Sequence, residues 1–546
     1  MTNANSRGIK LTRRAALMMG AGVAVSASNF AWAQAQGQNL TIGVRAGPDS
    51  LDPHFTATGT HAEALKHIFD TLVWSGDRLQ LEPCLAESWS QPNPTTWEFK
   101  LRRGVKFHDG SEMTAEDVKF SIERMKTISG PNPATIYVRR VDAVTIVDPY
   151  TVRVTTLGPS PTLANDFIRV FIVSKRAAEG LTPQNANEGF NRGGVGAGAA
   201  IGTGPFKYVS WTPRDSLVME RFDQYWRGAS TWQRVTRKEV PNDPARVAQM
   251  RAGQLEIMQR APAADLPAFE RDQRMRVVRG DSVYVFNIEL DLRERSPQVS
   301  ARDGSALPTS PLRDVRVREA ISLAIDRQAL VEVAMEGLGR VQNQLVTPEI
   351  FGYNRSLPEL RENLPRARQL MAEAGFPNGF KIVFNFTNDR LPGDGAVGTA
   401  VAQMLARINL DVQANGAPGA VIFPARTRGD LSMVMSGWGT LTGEAHYTLS
   451  SLAHSNDPEK RMGAFNWRGY RNPEVDRLLQ AAAIEMNVDE RRRQLEQAGA
   501  LYAADFTSLP LCAVSTAWVM LKDRVNLTKT RADEETLAYD IAPATR

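Results

Sequence analysis

The sequence predicts an α/β protein divided into two or three domains. Helical apolar spacing alternates with short period-two strands along the whole chain, the pattern of helices packed on sheets. The 546 residues exceed what one hydrophobic core accommodates. Charged residues at 23% and apolar residues at 42% are those of an ordinary globular protein. Beyond the N-terminus no apolar run approaches a membrane span.

The elements follow in order. NLTIGV at 39–44 reads as a first strand and runs into the turn-rich Pro48-Asp49-Ser50-Leu51-Asp52-Pro53. Ala64, Leu65, Ile68 and Leu72 recur at three- and four-residue spacing, which predicts a helix over 62–74. Trp97, Phe99 and Leu101 alternate with polar residues as a half-buried strand. Thr114 and Asp117 form a capping box ahead of a helix with Val118, Ile122 and Met125 on one face. Val144/Ile146 and Val152/Val154 flank Asp148-Pro149-Tyr150 as a hairpin. The glycine-rich stretch 189–204 predicts an irregular loop before a strand at Phe206. VYVFNI at 283–288 is a strand, and Val317, Ala320, Ile321, Ala324 and Ile325 fit an amphipathic helix. Pro365 and Gly375 fit the start and stop of a further helix. Phe380, Ile382, Phe384 and Phe386 alternate as a strand.

The first 33 residues give a location. Arg13-Arg14 precede an apolar run over 15–30 that ends in Ala31-Trp32-Ala33. A basic start, an apolar middle and a small-x-small end make an export signal, and the paired arginines suggest the twin-arginine route. The alternative, a membrane anchor, is disfavoured because the run is short of the ~20 residues a span needs. No cysteine follows the small residues, so no lipid anchor is expected there. Cleavage after Ala33 leaves a periplasmic chain beginning at Gln34.

The net charge is +5, with Lys and Arg spread along the chain rather than in blocks. A solvated mixed surface is expected and no nucleic-acid patch, with a mild preference for anionic small ligands. Cys84 and Cys512 sit in apolar settings and read as buried thiols, a bridge between them remaining open. The six histidines, His54, His61, His67, His108, His446 and His454, show no metal-binding spacing. There is no GxSxG elbow and no phosphate loop. Gly202-Thr203-Gly204 reads as a tight turn, and Asp533-Glu534-Glu535 as a solvated acidic stretch. No enzyme, cofactor or metal is expected.

Several ordered segments carry a resemblance: LAESWS at 85–90, WEFKLRRGVKFHDGSEMTAEDVKFSIER at 97–124, GTGPFK at 202–207, LRDVRVREAISLAIDR at 312–327, ARQLMAEAGF at 367–376 and SGW at 436–438. The chain resembles the extracytoplasmic solute-binding proteins, family 5, of peptide/nickel-type ABC transporters. The resemblance implies a two-lobed periplasmic binding protein fold of cluster C type, with an extra subdomain and a two-strand hinge. It divides the chain into the signal at 1–33, lobe I at 34–283 with the subdomain at about 82–200, lobe II at 284–511, and a return to lobe I at 512–546. The hinge is expected near 284–287, with Tyr284 and Asn287, and near 510–514. It implies an importer component that captures a small peptide or peptide-like solute and delivers it to inner-membrane ABC permease subunits, acting as a monomer. Glutathione-like, opine, haem and metal-chelate ligands are alternatives on the same fold, and a secreted enzyme on a related scaffold is the competing class.

The resemblance also places three regions at the cleft. The loop after the first strand holds Thr56, Thr58 and Gly59. Arg390 ends the 380–386 strand, where an arginine grips a carboxylate bidentately. The third region runs from Gly437 to Ala445. Trp438 either stacks on ligand or fills the lobe core. Leu441 stands where dipeptide binders usually carry an aspartate for the ligand ammonium, which counts against simple α-dipeptides. Thr442 and Glu444 belong to a TGEA string like that of the glutathione-binding branch. Glu444 either holds an ammonium or caps local backbone.

Overall fold

The computed structural model describes residues 39–128 and 134–545. The export signal lies outside the described residues. The main sheet has 12 strands. It is crossed by two long antiparallel strands, Met275–Leu290 and Ser508–Leu521. On one side of this pair lie Ile257–Met258, Asn39–Val44, Arg234–Glu239, Ser216–Arg221 and Phe206–Thr212, and on the other Met433–Gly439, Lys381–Thr387 and Val299–Ser300. Each half gathers its own core. One is built from residues such as Ile42, Phe69, Phe206 and Trp518, the other from Ile288, Ile321, Phe384 and Met435. A separate four-stranded sheet, Ala86–Asn93, Thr96–Leu101, Thr151–Thr156 and Val141–Asp148, closes over a third core with Phe99, Val118 and Phe167.

The long pair changes register where it passes from one half to the other. Asp281 pairs with Ser515, but the next pairing is Val285 with Ala513. Between them Val283 donates its N–H to Ala532 O at 3.0 Å instead of to the ladder. A strand that leaves its ladder for three residues bends there.

The predicted hairpin and the strands at 97–101, 206 and 381–387 are present. The helices near 317–325 and 365–375 are present as Val315–Leu323 and Leu364–Glu373. Asp117 accepts the Thr114 N–H at 2.9 Å, the carboxylate half of the capping box. The helix predicted over 62–74 is instead Gly59–Leu65, followed by the strand Val73–Ser75. The reason is tertiary. The carbonyls of His67, Ile68 and Asp70, which a longer helix would use, accept N–H bonds from Phe206, Gly204 and Ile172. Gly202 and Gly204 make this contact possible, because a Cβ at Gly202 would stand 2.0 Å from Ile68 O. They form a close packing seam rather than a free turn.

The acidic C-terminal stretch is also a correction. Asp533, Glu534 and Glu535 are at most 5% exposed. Glu535 pairs with Lys66 and Arg169, Glu534 with Arg260, and Asp533 with Arg531. Burial raises the Asp533 carboxyl, but Arg531 and Lys66 outweigh it and hold it at about 2. Each buried carboxylate has its own cation, which is what burial of charge demands. This network fastens the Gly59–Leu65 helix to the C-terminal segment, and so fixes one wall of the cleft. Cys84 and Cys512 are free and buried, so no bridge joins them.

Candidate functional site

Three chambers run in line between the two halves. The central one, of about 850 Å³, is lined by Thr58 on one wall and by Arg390, Trp438, Tyr447 and Phe465 on the other. A second, of about 720 Å³, shares Thr58 and Arg390 with it and adds Gly59, Tyr284, Asp389 and Gly437. A third, of about 410 Å³, shares Arg139, Leu157, Tyr447 and Arg461 with the central chamber and adds Asp166, Thr442 and Glu444. The predicted Thr58, Gly59, Arg390, Trp438, Thr442 and Glu444 thus line one continuous cleft.

The Thr58 wall is set by its loop. Arg124 grips Asp52 with two bonds of 3.0 and 2.5 Å, both side chains being buried. Burial raises the Asp52 carboxyl, but Arg124 outweighs it and the group is held below its usual range. Thr58 is the N-cap residue of the Gly59–Leu65 helix, its hydroxyl 3.4 Å from Asp49 Oδ2. Gly59 is small for a reason: a Cβ there would lie 3.3 Å from Tyr284 Oη. Thr56 is 3% exposed and does not line these chambers; its hydroxyl has no partner among the described residues.

Arg390 follows the strand Lys381–Thr387 and is exposed in the cleft. Its backbone N–H donates to Asp394 Oδ2 at 2.9 Å, which fixes the turn. Its guanidinium lies 5.7 Å from the Phe423 ring centroid. The neighbouring Asp389 accepts the Gly419 N–H at 2.8 Å and forms no ion pair with Arg390.

Trp438 packs on the lobe core and also faces the central chamber. Its indole N–H donates to Thr448 Oγ1 at 3.0 Å, and its ring packs near Tyr447 and edge-on to Phe465 at 5.1 Å. It also rests against the core of Ile350, Leu449 and Leu495 while lining the central chamber. Leu441 packs on that same core and is not among the side chains lining the three chambers. Glu444 is the N-cap residue of the helix Ala445–Leu452, but its side chain makes no cap bond. Its carboxylate pairs instead with Arg491 at 3.3 Å. Burial pushes its carboxyl up to about 7 against the pull of Arg491. Thr442 Oγ1 is buried without a partner among the described residues, while its carbonyl accepts from Asn165 Nδ2 at 2.9 Å across the cleft. Tyr284 lines the 720 Å³ chamber, and burial pushes its hydroxyl up to about 12. Asn287 is fully buried, its Nδ2 3.4 Å from Ser436 O.

The charge of the central chamber is its main chemical feature. Lys126, Arg139, Arg390 and Arg461 line it, and no carboxylate does. Lys126 Nζ donates to Asp142 O, and Arg139 and Arg461 donate to backbone carbonyls. Every Asp and Glu of the chain lies in the described residues, and none pairs with these four. Lys126, Arg139, Tyr447, Arg461 and Phe465 were not singled out from sequence. They stand in ordinary mixed-charge stretches whose convergence only the fold supplies.

Residues 80–460 match the bacterial extracellular solute-binding proteins, family 5, over the middle region of that family. The chain belongs to this family. It is 25% identical to heme-binding protein A of Haemophilus influenzae over 505 residues, covering 88% of this chain and 87% of that protein. It is also 25% identical to the glutathione-binding protein GsiB of Salmonella choleraesuis over 513 residues, 90% of this chain and 92% of that one. The periplasmic binding protein DppA of Helicobacter pylori, solved with the peptide STSA, superposes with a TM-score of 0.77 at 23% identity, over 94% of this chain and all of that one. The two-lobed periplasmic binding fold is therefore the fold of this solute-binding protein.

Proposed function

We propose that this protein is the periplasmic receptor of an ABC importer and closes its two lobes on a small, anionic, peptide-like solute. The observation that carries this reading is the 850 Å³ interlobe chamber, with four cations and no carboxylate in its walls. Closure around a solute removes water and strengthens each polar contact. Arg390 takes a solute carboxylate, Trp438 and Phe465 supply apolar contact, and Thr58 and Gly59 offer a hydroxyl and an open backbone. The names of the relatives support peptide and glutathione-like solutes. For a γ-linked peptide, the ammonium would occupy the 410 Å³ chamber, where Asp166 stands without an ion pair while Glu444 is taken by Arg491. Leu441 offers no acceptor in its place.

The lobes are taken as 34–283 with the subdomain at about 82–200, then 284–511, then the return at 512–546. The register change at 281–285 supports a hinge beside Tyr284 and Asn287. The mature protein is taken to be a monomer starting at Gln34, exported and cleaved after Ala33, and to act by binding rather than turnover. Native mass spectrometry of protein purified from the periplasm tests this reading. The expected result is a chain starting at Gln34 that carries a small acidic peptide-like molecule, released on mild activation. A full-length membrane-extracted chain, or a bound sugar or metal chelate, would refute it.

A further inference from the structure

The central chamber holds its cations in two places. Arg390 stands at a strand end in the second lobe, where the first and second chambers meet. Arg139 and Arg461 stand where the central chamber meets the third. Arg139 lies two residues before the subdomain strand Val141–Asp148, while Arg461 belongs to a turn closed by the Asp457–Met462 bridge. The two arginines meet across the cleft. Arg139 Nη1 donates to Arg461 O at 3.2 Å, and Arg461 Nη1 donates to Arg139 O at 2.5 Å. Each guanidinium has five N–H donors, so one bond leaves most of its fork free. Arg461 holds its position with a left-handed backbone, φ 55°, a conformation few non-glycine residues adopt. Arg140 follows with Nη2 on Pro159 O at 2.6 Å and adds a further cation without a carboxylate partner.

Two like charges brought together from opposite walls repel unless an anion lies between them. No carboxylate forms an ion pair with either arginine, and Asp166, Glu444 and Glu459 line only the adjoining third chamber, not the central one. We propose that Arg139 and Arg461, backed by Lys126, form a second anion subsite, and that the solute carries at least two anionic groups. One is gripped by Arg390 and the other bridges the Arg139–Arg461 seam. This rests on the reading of the cleft as the solute site. The chemistry recognised is a pair of carboxylates, as in an acidic peptide. Because the seam joins both walls, an anion there binds the closed arrangement better than a parted one and so favours closure.

The probes are γ-Glu-Gly and γ-Glu-Gly amide, alike in size and differing by one charge. Calorimetry on the mature protein is expected to give at least tenfold tighter binding of γ-Glu-Gly. That preference should fall towards unity in Arg139→Gln and in Arg461→Gln, with ligand-free melting unchanged. Equal affinity for the two dipeptides, or a preference that survives both substitutions, overturns the second subsite. If neither dipeptide binds, the solute carried from the periplasm decides, and one with fewer than two acidic groups overturns the proposal. A different result sinks the cleft itself: a bound probe whose affinity is untouched by both Arg390→Ala and Trp438→Ala sits elsewhere. Loss of affinity in those two variants, with none in Arg139→Gln or Arg461→Gln, sinks only the seam.

Discussion

Arg390→Ala should separate binding from folding more cleanly than any other change in the cleft. In the folded protein the guanidinium has no ion pair, and its one aromatic contact is the Phe423 ring at 5.7 Å. An exposed cation–π contact contributes about 0.5–1 kcal/mol, so the loss of stability should not exceed that. The backbone N–H that fixes the turn on Asp394 is untouched by the substitution. Binding is another matter. Removing one partner of a desolvated charge pair costs about 2–5 kcal/mol, because the other charge is left unpaired. The chamber is open to water on one side, so the lower half of that range applies. About 2–3 kcal/mol corresponds to a ~30- to 150-fold weaker dissociation constant. Titration calorimetry with the resident solute, beside ligand-free thermal melts, reads both quantities. Unchanged affinity would remove Arg390 from the site. A ligand-free melt lowered by several degrees would show that the side chain supports the fold in a way the contacts do not reveal.

Three further outcomes follow from packing and charge. Gly202→Ala should destabilise by about 1–3 kcal/mol or more, since its Cβ would meet Ile68 O at 2.0 Å; an unchanged denaturation midpoint would refute that contact. Burial holds the Asp166 carboxyl up at about 7 against an ordinary 3.8, over the opposing pull of Arg139 and Arg140. The folded state therefore keeps a proton that the unfolded chain has already lost, and stability from this group falls as pH rises from about 4 to 7. Asp166→Asn should match wild type near pH 4 and melt higher at pH 8, by about 1–3 kcal/mol; equal melts at pH 8 would contradict the burial of this carboxylate. Cys84 and Cys512 are buried thiols pushed up to about 12 by desolvation. They should resist a thiol reagent in the native state and both react on unfolding, and a native-state reaction within minutes would contradict their burial.

Much of this fold is legible because its elements carry local signals. The hairpin at Asp148-Pro149-Tyr150 is marked by its turn, and the helix Leu364–Glu373 by Pro365 inside its start and Gly375 after its end. The helix over 62–74 misleads because its apolar spacing is real while its carbonyls are taken by two segments distant in sequence, at Ile172 and at 204–206. No local pattern reports such a competitor. The acidic triplet Asp533-Glu534-Glu535 misleads in the same way: charge at the chain end reads as solvated until three distant cations, Lys66, Arg169 and Arg260, join the neighbouring Arg531 around it. The long strands Met275–Leu290 and Ser508–Leu521 exceed the predicted run at 283–288 because half of each is paired in the other lobe.

The cleft was legible to different depths for the same reason. Thr58, Gly59, Arg390 and Trp438 lie in the segments that the family resemblance places at the cleft. Lys126, Arg139 and Arg461 have no such marker, yet they set the sign of the chamber. Their neutral surroundings are the informative fact. Elsewhere this chain pairs buried cations with carboxylates, as with Lys66, Arg169, Arg237 and Arg260 against Glu535, Glu63 and Glu534. Carboxylates are withheld from the central chamber between the lobes, although they line the two chambers on either side of it. Cations left unpaired in open water cost little, because solvent satisfies them. On closure that solvent is expelled, and the same cations become costly unless the solute brings the missing charge. If the proposed anionic solute is the right one, charge selection and lobe closure are one event: a neutral solute of the right size would fill the chamber, and only an anionic one would let it shut.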